Sequence, residues 1–306
     1  MIVAAGRGER LQPLTRWLPK PAVPVRGIPL IAYPLALLAS AGVTEIVINL
    51  HHLPEALRRA ASEWCPEGVE LRFSHEPELL QTGGAIRRVA DFLRESDPCL
   101  ILGGDMILDL DLAGFLERHR SSGRAVSLLL RDDPRSDRFG SIGLDAEGLL
   151  RRIAGRFDLG GESQAGVYTW LNVVSASALD SLPDREVFNH LDDWLAPRAV
   201  ERGDVGGEVG DPRETTWIPV GTPGEYLEAN FGPLSLSYLD ADAAARRAGV
   251  QVQPERILGA RSTVPQPDAL ERVVVWDDEI LPSGFSGHDG VYAGGAFHAC
   301  GAGEAA

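Results

Sequence analysis

Apolar residues in the first third of the chain fall in short blocks, separated by polar breaks marked with glycine or proline. Residues 1–5 form an apolar run that breaks into Gly6-Arg7-Gly8-Glu9-Arg10. Residues 30–41 carry a helical pattern that stops at Gly42, where a left-handed cap is expected. Glu45–Leu50 is short and β-branched, which predicts a buried strand. A helix is expected over 54–61, with Pro54 in its first turn, where a missing N–H costs little. Strand 69–73, helix 84–93 and strand 99–102 continue the alternation. This order predicts an α/β fold: a three-layer, mainly parallel twisted sheet with helices on both faces. Right-handed crossovers then gather the strand C-termini along one edge, where such sheets bind ligands.

The pattern loosens further on. Residues 125–130, 141–144 and 168–175 read as strands, 189–200 and 223–230 as helices, and the Gly-rich, charged stretch 201–213 as a loop. Residues 240–249 read as a polar, Ala-rich linker, followed by short β runs that suggest one or two coils of a parallel β-helix. The small, polar end, 294–306, reads as mobile. The expected organisation is a main domain over 1–235 and a linker with a small β-rich tail over 236–306.

Composition narrows the field of partners. With 306 residues, 44% of them hydrophobic, the chain can bury a substantial core. Its 44 acidic and 29 basic residues give a formal charge of −15, which argues against a nucleic-acid polymer as partner. Cys65, Cys99 and Cys300 lie far apart without metal-ligand spacing and read as reduced thiols, Cys99 as core. No apolar stretch reaches the ~20 residues that span a bilayer, so a soluble, cytoplasmic protein is expected.

Chemistry concentrates at the strand ends. The turn at Gly6 and Gly8 can point several N–H groups at one spot, a concave nest for phosphate oxygens. Arg10 adds a bidentate cation and Lys20 a point charge. A Walker loop is excluded by the spacing of Lys and Ser/Thr, and a dinucleotide fingerprint by the missing third glycine. Downstream, His75-Glu76-Pro77 and Gln81-Thr82-Gly83-Gly84-Ala85 stand between a strand and a helix that Thr82 can cap. The adjacent His51 and His52 point opposite ways on an extended chain, one toward the cleft and one structural. Cys99-Leu100-Ile101-Leu102-Gly103-Gly104-Asp105 ends an apolar strand in a carboxylate suited to Mg²⁺. Asp109 and Asp111 are better explained as a solvated helix start.

Taken in order, Ala4-Ala5-Gly6, Arg10-Leu11, Pro13-Leu14-Thr15 and Pro19-Lys20-Pro21 resemble the signature of the sugar-1-phosphate nucleotidylyltransferases. The likeness is to the mannose-1-phosphate guanylyltransferases and the N-acetylmuramate-1-phosphate uridylyltransferases. It is dense over 1–112, patchy over 113–235 and faint beyond. The resemblance implies a Mg²⁺-dependent enzyme that joins a nucleoside triphosphate to a sugar 1-phosphate, releasing pyrophosphate. Mannose 1-phosphate with GTP is the first pair and an N-acetylated amino sugar or muramate with UTP the second. It implies nucleotide contacts from Ala4, Ala5, Gly6, Gly8, Glu76, Thr82 and Gly83, and catalytic roles for Arg10 and Lys20. Asp105 would hold the metal, and Gly140 and Asn172 would meet the sugar. β-helix tails in relatives often mediate assembly, which makes a homo-oligomer one form to test.

Three departures temper this. The family's Trp-x-Asp-Val-Gly-Thr-Pro, whose Asp is the second metal ligand, stands here as Trp217-Ile218-Pro219-Val220-Gly221-Thr222-Pro223. Glu214 is one candidate to supply the missing carboxylate. The Glu-Lys-Pro usual near residues 152–157 does not occur, and Trp170 takes a position that is commonly glycine. The alternative is therefore a catalytically impaired relative that binds nucleotide or nucleotide sugar as a regulatory subunit.

Overall fold

A computed structural model describes residues 1–300 of the chain. The strands Glu70–His75, Glu45–Leu50, Ile2–Val3 and Cys99–Gly103 lie side by side in that order, all parallel. Gln164–Val174 then joins Cys99–Gly103 antiparallel, and pairs along its length with Val126–Arg131 and Ile142–Leu144. The sheet is thus mixed, parallel where strands and helices alternate and antiparallel around Gln164–Val174. Parallel neighbours need a crossover of a dozen or so residues. Between Val126 and Val174 the helix described is the four-residue Ser136–Phe139, too short to serve as one.

Period-two alternation buries both faces of the sheet. Ile46, Ile48, Leu50, Leu100 and Leu102 pack on one face with Leu35 and Leu38 of helix Ala32–Ser40. Val47, Ile101, Leu128 and Leu130 pack on the other with Ala85 and Ile86 of helix Gln81–Arg88. Three layers follow, with the C-terminal ends of the parallel strands opening along one edge.

Several boundaries differ from the sequence reading. The single helix expected over 84–93 is two, Gln81–Arg88 and Ala90–Leu93. The stretch 189–200 holds a π-helical turn, Leu191–Leu195, followed by Ala196–Arg202. Within the expected loop 201–213, Val205–Gly210 is a strand paired parallel to Val126–Arg131. Its glycines hide the strand from propensity, yet they allow the pairing. A Cβ on Gly207 would stand 2.3 Å from the Leu128 carbonyl oxygen, and one on Gly206 2.1 Å from that of Gly148.

The expected linker 240–249 is ordered as well. Asp240 caps helix Ala241–Arg247 by accepting from the Ala243 N–H at 2.9 Å. Beyond it five strands form a separate sheet, of which Arg256–Leu258, Leu270–Val275 and Gly287–Ala293 run parallel. Arg261–Asp278 and Arg272–Asp289 repeat one contact at a separation of 17 residues, the stacking expected of short parallel coils. The end is not uniformly mobile, because Ala296–Ala299 is a strand of this sheet; residues 301–306 lie outside the described residues. No helix among the described residues is long and apolar enough to cross a membrane.

The tail packs on the loop and helices that carry Val23, Tyr33 and Tyr226, in one core with its Val274 and Trp276. The Tyr226 hydroxyl donates to the Pro24 carbonyl at 2.6 Å and accepts from Trp276 Nε1 at 3.0 Å. Tyr226→Phe leaves a buried acceptor and a buried donor unpaired. The expected loss is about 1–3 kcal/mol in urea unfolding, with little change in the slope against denaturant.

Candidate active site

The short strand Ile2–Val3 feeds a loop made of three 3-10 turns, Glu9–Leu11, Leu14–Arg16 and Lys20–Ala22. Buried Leu11 and Leu14 anchor it from beneath. Gly8 sits at φ +65°, and a Cβ there would stand 2.8 Å from Thr15 Cγ2. The Thr15 hydroxyl donates to the Gly8 carbonyl at 3.0 Å, which closes the loop on itself. Folded this way, the loop delivers Lys20 Nζ to within 2.7 Å of Asp105 Oδ2. Asp105 follows Cys99–Gly103. A Cβ on Gly104 would lie 3.0 Å from Ile2 Cγ2, so this glycine lets the turn press against the first strand, while one on Gly103 would meet Asp105 Oδ1 at 3.0 Å and Trp170 Cβ at 3.2 Å. On the other side Thr216–Pro219 pairs with Met106–Asp109, placing Pro219 opposite Met106, and the Val220 N–H donates to the Asp105 carbonyl at 3.3 Å.

Two cavities meet at this point, and Lys20, Asp105 and Trp170 line both. The larger, about 390 Å³, is bounded by Ala4, Ala5, Gly6, Glu76 and Thr82. The smaller, about 220 Å³, is bounded by Arg10, Gly140, Tyr168, Trp217, Pro219 and Glu225. In the larger cavity Glu76 is only 1% exposed. It accepts from Asn49 Nδ2 at 2.8 Å and from the Leu80 N–H at 3.1 Å, while Asn49 Oδ1 accepts from the Ala4 N–H at 2.6 Å. A carboxylate held through one contact on each oxygen retains lone pairs for a ligand N–H.

Other residues singled out from sequence stand elsewhere. Thr82 does not cap its helix. Gln81 opens it, and the Thr82 hydroxyl meets His190 Nδ1 at 2.7 Å. Gly83 gives room to protein rather than to ligand, since a Cβ there would stand 2.2 Å from the Phe188 ring. Gly8 shapes the loop and lines neither cavity. Asn172 is buried in the sheet, its Nδ2 donating to the Ile101 carbonyl at 3.1 Å and its Oδ1 accepting from the Tyr168 hydroxyl at 2.6 Å. It therefore stands behind the smaller cavity, without a face on it. His51 and His52 both tie loops together, to the Glu76 and Thr15 carbonyls at 2.8 Å each. Asp111 does cap helix Leu112–Ser122, whereas Asp109 is buried against Ser237. Glu214 is exposed and lines neither cavity; besides Asp105, the carboxylate that shares the smaller cavity with Pro219 is Glu225.

His190 and Tyr168 went unnoticed in the sequence, where neither sits in a recognisable pattern. Asn172 Nδ2 is fixed by the Ile101 carbonyl, so Tyr168 must give its one proton to Asn172 Oδ1. The Tyr168 oxygen, 3.1 Å from His190 Nε2, then accepts from that nitrogen, and Nδ1 accepts from Thr82. His190 is thus neutral with its proton on Nε2. Burial, reinforced by the Arg156 charge, lowers its pKa from 6.5 to about 3.

Comparison with known proteins matches residues 1–233 to the family model described as "Nucleotidyl transferase". A UTP–glucose-1-phosphate uridylyltransferase of Synechocystis sp. is 26% identical over 83% of the chain and 67% of its own length. A mannose-1-phosphate guanylyltransferase of Mycobacterium tuberculosis is 29% identical over 75% of the chain and 63% of its own. The chain thus spans about two thirds of the length of these relatives. Among solved structures, HddC from Yersinia pseudotuberculosis superposes with a TM-score of 0.62 at 23% identity, covering 74% of this chain and 96% of its own.

The His190 environment predicts a pH dependence. Below the unfolded-state value of 6.5 and down to about 3, the unfolded chain binds a proton that the folded chain refuses. Stability therefore falls as pH falls through that window. Denaturant unfolding between about pH 4 and 7 should show His190→Gln losing part of the wild-type slope, by up to about 1.4 kcal/mol per pH unit.

Proposed function

The chain belongs to the nucleotidyl transferase family, and from that premise we propose that it transfers a nucleotidyl group from a nucleoside triphosphate to a sugar 1-phosphate, releasing pyrophosphate. The observation that carries this reading is the meeting of two cavities at one cation–carboxylate pair, Lys20 and Asp105. The larger cavity suits the nucleotide. Glu76 would accept from a base N–H, and the loop backbone from Ala4 to Gly6 would face the phosphates. The smaller cavity suits the sugar 1-phosphate, with Gly140 bringing bare backbone to its wall at φ +73°.

In this reading an oxygen of the sugar 1-phosphate attacks the α-phosphorus in line, and the bond to the β-phosphate oxygen breaks. A phosphate monoester has a second pKa of about 6, so its attacking oxygen is already ionised at neutral pH and no general base is required. Arg10 and Lys20 would hold the two anions together against their repulsion, and Lys20 would neutralise charge as it moves onto pyrophosphate. Asp105 engages Lys20 through Oδ2 alone and lines both cavities, so its donor set fits a Mg²⁺ that takes its remaining ligands from phosphates and water. Bound there, Mg²⁺ would supply charge screening at the α-phosphate. Residues 1–235 would carry the reaction, in the cytoplasm, with 236–306 as an appendage. Mannose 1-phosphate with GTP is the favoured pair, supported by the guanylyltransferase among the relatives.

Pro219 favours a second reading, a relative with impaired catalysis that still binds nucleotide. Its side chain offers no donor beside Asp105. Pyrophosphate release with Mg²⁺, measured across nucleoside triphosphates and sugar 1-phosphates, separates the two. The transferase reading expects release from a specific pair, lost by ~100-fold or more in Asp105→Asn. No release from any pair, with nucleotide binding intact by calorimetry, would instead establish the impaired relative. In that case Pro219→Asp is expected to raise turnover.

A further inference from the structure

Gln164–Val174 pairs in register with Val126–Arg131 as far as Tyr168, loses register, and regains it at Asn172. Such irregularities re-aim side chains, and they gather beside functional sites. Inside this one Trp170 stands at φ +64°, a left-handed conformation that a bulky L-residue holds only when its surroundings enforce it. The enforcement is visible. The His190 and Tyr168 rings lie 5.3 and 5.4 Å from the indole, both tilted against it. Both rings are fixed in turn by the Thr82–His190–Tyr168–Asn172 hydrogen-bond chain. A strained backbone, a break in register and a satisfied polar network thus converge on one indole, which is also a wall of both cavities.

On the acceptor side of that wall the cavity is about 220 Å³. That is below the ~300–1,000 Å³ typical of pockets for drug-sized ligands, a range that the nucleotide cavity enters. Tyr168, Phe139 and Trp217 line the same space. We propose that Trp170 is the specificity-determining residue for the acceptor. The electropositive C–H face of a monosaccharide lies on the negative face of the indole. The limited space beyond it selects an unsubstituted hexose 1-phosphate over one bearing an acylamino group. This deepens the transferase reading and rests on it.

The test is equilibrium binding, so that it does not depend on turnover. Mannose and glucose 1-phosphates are titrated against their 2-acetamido counterparts, with the protein saturated by a non-hydrolysable GTP or UTP analogue. Wild type should prefer the unsubstituted sugars by about tenfold or more. Trp170→Gly, a residue at ease with this φ, should fold and lose that preference, with the analogue's own affinity titrated first so that each variant is saturated, because the indole also walls the nucleotide cavity. Trp170→Phe should retain part of it. An unchanged preference in Trp170→Gly, or none in wild type, overturns the assignment. A preference that follows Trp170 while no pair ever releases pyrophosphate supports the assignment and defeats the transferase reading alone.

Discussion

The ion pair between Lys20 and Asp105 is the contact on which the site depends. It joins a loop and a strand end 85 residues apart in sequence, at the junction of both cavities. Its two halves are unequally placed, the lysine side chain 11% exposed and the aspartate 42%. The mostly buried ammonium has its charge matched by Asp105, which steadies the end of a loop that Leu11, Leu14 and the Thr15–Gly8 contact anchor further back. The exposed carboxylate, by contrast, keeps a face toward ligand. A phosphate arriving between them finds a cation already in place and a strand-anchored oxygen beside it. This is preorganisation in the sense that matters for charge migration.

The acceptor side is built differently. Pro219 ends its strand without a donor, and the acidic group of that wall other than Asp105, Glu225, is committed to structure. Glu225 Oε2 accepts from the Gly221 N–H at 2.6 Å, and Arg138 Nη2 stands 2.9 Å from Oε1. That second contact is electrostatic, since Oε1 has no aligned hydrogen bond among the described residues. The fit for a divalent cation therefore rests on Asp105 and on what the substrates bring. Trp170 sets its indole where the two cavities meet and lines both. In the proposed reading, nucleotide and acceptor would meet different walls that share the ion pair and this indole.

Much of this was legible in sequence because it is local. Glu45–Leu50 is a strand from its own β-branched pattern, and Pro54 opens a helix from its fixed φ. The order Ala4-Ala5-Gly6, Arg10 and Lys20 marks, within about twenty residues of chain, a loop whose members do line the two cavities. What escaped is non-local. Val205–Gly210 reads as a loop because glycine lacks strand propensity, and its need for glycine lies in the carbonyls of Leu128 and Gly148. Thr82 reads as a cap until His190 is placed beside it, and Asn172 reads as a sugar contact until the sheet turns it inward. Glu214 lies five residues before Pro219 and Glu225 six after it, yet it is Glu225 that lines the cavity.

The most direct measurement is a crystal structure of the chain with the nucleotide sugar of the proposed reaction. The account predicts the base against Glu76 and Asn49, the diphosphate beside Lys20 and Arg10, and the sugar ring on Trp170. It also predicts a longer separation between Lys20 Nζ and Asp105 Oδ2 as the phosphates draw the ammonium away. A base seated in the smaller cavity, or a diphosphate remote from an undisturbed Lys20–Asp105 contact, would contradict it.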